Sequence, residues 1–129
     1  MTTATGEFKV SSWDEQPYEE RDGGAKLTRA QVALAFTGDL DADGAVQWLM
    51  AYGLDGSAAF VGLQLLKGTL GGRSGSFVLQ DVGTFEGGVA RGTWTVVPGS
   101  GTDGLAGIAG RGGFEAGHEA SYTLDYDLG

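Results

Sequence analysis

The chain has 129 residues, of which 41% are apolar and three are Trp; it has no Cys and a formal net charge of -9. That length fits one domain, 1–129, with enough apolar content for a core, while the missing thiols exclude disulfides, thiolate metal sites and cysteine nucleophiles. The acidity argues against nucleic acid, which is held by clustered Lys and Arg, and no basic-then-apolar leader or apolar run near the ~20 residues that span a bilayer occurs, so the expectation is a soluble, cytoplasmic protein without nucleic-acid or membrane partners.

Glycine-rich turn signals recur along the chain, and the 25 glycines read as turns of a folded protein rather than disorder. Between them the sequence predicts eight strands, at residues 4–12, 27–37, 45–52, 58–67, 76–85, 89–97, 110–115 and 120–127. The acidic segment WDEQPYEERDGG, from Trp13 to Gly24, lacks periodicity and is expected as a long loop after the first strand. Propensity alone would allow helices at 25–37 and 45–52, but alternation of Ala30, Val32, Leu34 and Phe36 favours a strand for the first.

Asp39 to Gly44, DLDADG, begins like a calcium loop, yet Met50 occupies the twelfth position where a bidentate Glu is needed. It is expected as a solvated hairpin tip. Gly68-Thr69-Leu70-Gly71-Gly72 and Gly83-Thr84-Phe85-Glu86-Gly87-Gly88 each set a glycine pair after a strand end, which reads as repeated turn chemistry. Gly99 to Gly104, GSGTDG, matches the letters of a dinucleotide fingerprint, but the helix that motif requires is broken by Gly107 and Gly110. A glycine turn, one 3₁₀-like turn placing Leu105 and Ile108 together, and a curved glycine-rich strand fit better. Pro17 and Pro98 both fall outside the expected strands.

Strand parity places Phe8, Val10, Val32, Leu34, Phe36, Trp48, Met50, Tyr52, Phe77, Leu79, Trp94, Val96, Tyr122, Leu124 and Tyr126 inward. Glu7, Lys9, Arg29, Gln31, Gln64, Gln80, Arg91 and Asp125 fall on the outside, with Leu49, Phe60, Leu66 and Val97 as apolar exceptions that a loop or a second subunit would cover.

The segment VVPGSGTDGLAGIAGRGGF resembles the glycine-rich segment of allene oxide cyclase and dirigent barrels. Through SWDEQPYEE, KLTRAQV, LMAYGLDGSAAFVGL, GTLGGRSGSFVLQ, GTWTVVPGSGT and SYTLDYD, nearly the whole chain resembles an uncharacterised bacterial family of small allene-oxide-cyclase-like, dirigent-like barrels. The resemblance implies an all-β fold, a closed eight-stranded antiparallel barrel that is often oligomeric, with a cavity that in characterised relatives holds an apolar intermediate and steers its cyclisation or coupling. It also implies Glu at positions 47 and 64, where this chain has Gln.

An eight-stranded barrel is either filled by its own side chains or holds one small ligand. The residues expected to line such a cavity are Trp48, Met50, Tyr52, Phe77, Trp94, Tyr122 and Tyr126, and the expected partner is a small apolar or conjugated molecule. His118, the only imidazole, sits in a turn, Ala116-Gly117-His118-Glu119, and with Tyr122 is a candidate for proton transfer. No cofactor or metal motif is present. The readings left open are a cofactor-independent cyclase or isomerase, a lipocalin-like carrier and a packed interaction barrel.

Overall fold

In the computed structural model, which describes residues 1–129, the chain forms eight strands: β1 (Thr2–Glu20), β2 (Lys26–Gly38), β3 (Leu40–Tyr52), β4 (Ala58–Leu70), β5 (Arg73–Glu86), β6 (Val89–Val96), β7 (Ala109–Ala116) and β8 (Ala120–Asp127). Each pairs antiparallel with its neighbour, and β8 returns to β1 from Thr2↔Tyr126 to Glu7↔Ser121, closing the barrel. The two glycine pairs make the tightest turns. Gly71 and Gly72 between β4 and β5 have φ of 58° and 84°, and Gly87 and Gly88 between β5 and β6 have φ of 58° and 80°, the left-handed pair that a two-residue type I′ hairpin needs.

The barrel has two unlike ends. At one, the β6–β7 connection folds back as a plug: a 3₁₀ turn at Asp103–Leu105 buries Leu105 and Ile108, and Thr102 bonds to Ser76 through backbone and hydroxyl. This is the arrangement expected from the glycine spacing. At the other end β1 runs past its last β8 partner, so that from Phe8 to Glu20 it is paired with β2 alone. The segment from Trp13 to Glu20 is therefore strand, not the loop expected from its composition. Its side chains alternate little because nearly every position on both faces of the ribbon is exposed, and a lack of apolar periodicity reports exposure rather than a lack of backbone pairing. Pro17, expected outside the strands, lies in β1 opposite Thr28 and beside a register shift, a position where a missing N–H is tolerated.

A second register shift, between Val10 and Ser12, re-aims the outer half of β1. Ser11 is the extra residue. Phe8 and Val10 face inward opposite Phe36 and Leu34; past the bulge, Trp13 and Glu15 face inward opposite Val32 and Ala30.

Two further expectations are corrected. The hairpin tip at residues 39–44 shrinks to Gly38 and Asp39, since β3 begins at Leu40, and Leu40 and Ala42 are buried while Asp41 and Asp43 point to water. The parity of β4 is inverted: Phe60, Gln64 and Leu66 face the interior, and Val61, Leu63 and Leu65 lie outside, beside Leu49 and Val82 of the flanking strands. Both faces of β4 are apolar, which hid the direction. Of the other residues expected inside, all are buried except Tyr52, partly covered, and Val10, at the rim. No helix is long and apolar enough to cross a membrane.

Large rings fill the interior because glycines face them. A Cβ on Gly62 would lie 2.6 Å from Cδ1 of Trp48, and one on Gly44 would lie 2.8 Å from Cε1 of Phe36. Pairing a ring with a bare backbone lets bulky side chains share a narrow barrel.

Candidate functional site

At the end opposite the plug the interior is not filled. A cavity of about 190 Å³ opens there, lined by twelve side chains from seven strands, all of them hydrophobic. Phe8, Leu34, Trp48, Phe60 and Phe114 make its floor and inner wall, and Val10, Trp13, Met50, Tyr52, Phe85, Ala90 and Ala116 complete it. The aromatic rings hold each other in place. Trp48 packs 5.3 Å from Phe60 and 6.3 Å from Phe114, and Trp13 leans over Trp48 at 5.7 Å. Trp13 and Val10 remain about half exposed, at 47% and 53%, and stand at the mouth of the cavity.

One carboxylate organises this rim. Oε2 of Glu15 accepts hydrogen bonds from the hydroxyls of Thr28 and Tyr52, both at 2.6 Å, and Oε1 accepts from the Trp13 indole N–H at 3.1 Å. Partial burial pushes the Glu15 carboxyl up, but the bonds from Thr28, Tyr52 and Trp13 and the charge of Lys26 outweigh it, so the net shift is below its ordinary 4.5. Burial, then the bond to Glu15 and its negative charge, push the Tyr52 hydroxyl well above its usual range. Lys26 lies 4.9 Å over the Tyr52 ring and completes the set.

Below the floor is a second group of polar side chains. Asp81 is fully buried on β5, and its Oδ2 accepts the Trp48 indole N–H at 2.8 Å. Burial pushes its carboxyl up to about 6 against the opposing effect of the Trp48 and Trp94 indoles. The Trp94 N–H steadies that charge without reaching hydrogen-bond geometry: Asp81 Oδ1, Trp94 Nε1 and Gln64 Oε1 all lack a partner. Native interiors leave few such groups unpaired.

The expected site residues divide. Trp48, Met50 and Tyr52 line the cavity, whereas Phe77, Trp94, Tyr122 and Tyr126 are packed elsewhere in the core and do not. Tyr122 has a structural duty near the β2–β3 turn: its hydroxyl accepts the Leu40 N–H at 3.0 Å and donates to the carbonyls of Thr37, at 2.8 Å, and Leu40. His118 is exposed in the β7–β8 turn, at the cavity's end of the barrel but outside its lining. Glu15 and Trp13 escaped the sequence reading because their segment passed for a loop. Asp81 had a signal, since it continues the inward parity of Phe77 and Leu79. Gln64 had one too, because the outward side of β4 carries Lys67. No group of three or more His, Asp or Glu converges to hold a metal ion.

No curated protein matches the chain. A crystal structure of a protein with unknown function from the DUF3224 family of Shewanella oneidensis MR-1 is similar to it, with 32% identity and a TM-score of 0.84 over 98% of this chain and 97% of that one. The family model described as "Protein of unknown function (DUF3224)" matches residues 4–127. The chain belongs to the DUF3224 family.

Proposed function

We propose that the barrel binds a small apolar, aromatic or conjugated molecule in the cavity at its open end. The observation that carries this reading is the cavity itself, which is lined by hydrophobic side chains alone and kept open by glycine-backed rings. An apolar cavity of about 150 Å³ is known to accept benzene, so a hollow of about 190 Å³ suits one ring or a short chain, with anything longer extending through the mouth. A guest would stabilise the folded barrel by mass action. Small aromatic probes are therefore expected to raise the melting temperature in proportion to the logarithm of their concentration, and Ala116→Leu, which fills the cavity, to abolish the rise. A melting temperature that ignores every apolar probe would leave a packed barrel as the reading.

A second reading, cofactor-independent cyclisation or isomerisation of such a guest, draws support from Glu15. A carboxylate held ionised at the edge of an apolar cavity stabilises positive charge that develops on a conjugated molecule. The likeness to allene-oxide-cyclase barrels points the same way. Turnover of polyene or epoxide substrates that is lost in Glu15→Gln, with binding retained, would support chemistry; binding without product favours a carrier.

A further inference from the structure

The outer face of β3, β4 and β5 is apolar where the far side of the barrel is not. From Ala45 to Ala51, from Ala59 to Leu65 and from Val78 to Thr84 no outward side chain is charged, in a chain of formal net charge -9. Leu49, Val61, Leu63, Leu65 and Val82 stand there between 37% and 57% exposed. The registers join them into one patch: Leu49, Val61 and Val82 form a row across the strands, Gln47, Leu63 and Gln80 the next, and Ala45, Leu65 and Val78 a third. On the opposite side of the barrel the paired β1 and β8 turn hydroxyls and charges outward, as at Thr3, Glu7 and Asp125. At the centre of the patch β4 reads AAFVGLQLL, the near-continuous apolar run of a strand covered on both faces, yet a single chain covers only the inner one. The uncharged area measures roughly 15 Å by 20 Å from strand and residue spacing, a size that marks interaction surfaces.

We propose that this face docks on the same face of a second copy of the chain, about a two-fold axis that runs across the strands at the row of Leu63. Charge selects both the occupant and the axis. Two acidic copies repel over most of their surface, and this wall lets them meet without bringing carboxylates together at its centre. Its two ends are unlike. Beyond Ala45 the outward residues of β3 are Asp43 and Asp41, with Lys67 opposite Asp43; towards the other end Arg29 lies opposite Leu49. The chain's one ion pair joins Arg91 to Glu115, which leaves Arg29 free. An axis across the strands turns each end over the other, so Asp43 of one copy approaches Arg29 of the partner subunit, and symmetry forms the same pair a second time. An axis along the strands would lay each row on itself and leave Arg29 without a carboxylate. With a polar rim around the apolar centre, such a contact has the scale of stable pairs, about 800 Å² per partner.

Sedimentation equilibrium of the intact chain at micromolar concentration is expected to give twice the mass of one chain. Leu63→Glu, which sets a carboxylate on the axis against its own copy, should return it to one, with circular dichroism to check the fold. Arg29→Asp should weaken association about tenfold, and adding Asp43→Arg to it should restore the pair. Because the chain has no Cys, one introduced thiol reports the contact directly. Leu63→Cys should cross-link to its own copy under mild oxidation, since residues beside a two-fold axis come within the Cα separation of a disulfide, whereas Thr123→Cys, on β8, should stay single. An unaltered chain that sediments alone, a dimer that survives Leu63→Glu, or equal cross-linking of the two thiols would overturn the proposal. A dimer that is lost in Leu63→Glu but indifferent to Arg29→Asp would overturn the axis across the strands. The cavity opens at the end of the barrel and not on this wall, so none of these outcomes decides whether it binds a guest.

Discussion

Trp48 donates its indole N–H to the Asp81 carboxylate at 2.8 Å inside the barrel, and the same ring forms part of the cavity floor. The position of an apolar wall is thus set by a buried acid. Burial raises the Asp81 carboxyl from 3.8 to about 6, so between those values the folded chain holds a proton that the unfolded chain has released. Stability contributed by that proton is full below the unfolded value and is lost as pH rises through the folded one. The expected loss is on the order of 3 kcal/mol, from about two pH units at 1.36 kcal/mol each. Urea midpoints of the wild type and Asp81→Asn at pH 4 and pH 7 isolate it, since other carboxylates cancel in the difference. The variant should gain on the wild type as pH rises; curves that stay parallel would remove Asp81 from the account.

Tyr122→Phe separates architecture from chemistry. Its hydroxyl serves the Leu40 N–H and the Thr37 carbonyl, and its removal leaves buried backbone groups unpaired, at a cost of about 1–3 kcal/mol. Tyr122 does not line the cavity, so guest affinity should be unchanged once stability is allowed for. A loss of binding or turnover with stability intact would restore the catalytic role expected from the sequence.

Gly62→Ala tests the support of the floor from behind. The added methyl would meet Trp48 Cδ1 and the backbone carbonyl of Gln47, so the ring or β3 itself must shift. Overpacking of this kind destabilises by about 1–3 kcal/mol. Because the Trp48 indole is also the Asp81 donor, its N–H resonance should change environment in this variant. An unperturbed resonance would show that the wall tolerates the methyl.

The parts of the fold legible in the sequence were those where local and global signals agree. Glycine pairs at 71–72 and 87–88 marked hairpins that the backbone needs at positive φ, and alternation in β2 and β8 reported one wet face and one dry one. Where a strand is apolar on both faces, as from Phe60 to Leu66, alternation carries no direction, and only Lys67 broke the tie. Where a strand is wet on most of its length, as from Trp13 to Glu20, pairing leaves no apolar trace. The candidate site draws on both kinds of segment. Trp48, Met50 and Tyr52 were found by parity, while Glu15 and Trp13 depended on a bulge at Ser11 that only the register reveals.

Glu15→Gln bears on how that rim is held. The carboxyl sits below its ordinary value, so its contribution to stability has the opposite sign from that of Asp81: present above 4.5 and lost as pH falls through the lower folded value. It is partly exposed, and solvent screening limits its worth to less than about 1 kcal/mol. Stability is therefore an insensitive readout, whereas the position of Trp13 is a direct one, because its N–H donates to Oε1 of the same carboxylate. Emission from Trp13, obtained as the difference between wild type and Trp13→Phe, should shift to the red as pH falls below 4.5 through the lower folded value and protonation weakens that bond. In Glu15→Gln, where no proton can be gained, the emission should be the same at pH 3 and pH 7. A Trp13 signal that moves identically in both proteins would mean that the packing against Trp48, at 5.7 Å, and not the carboxylate, holds the mouth of the cavity.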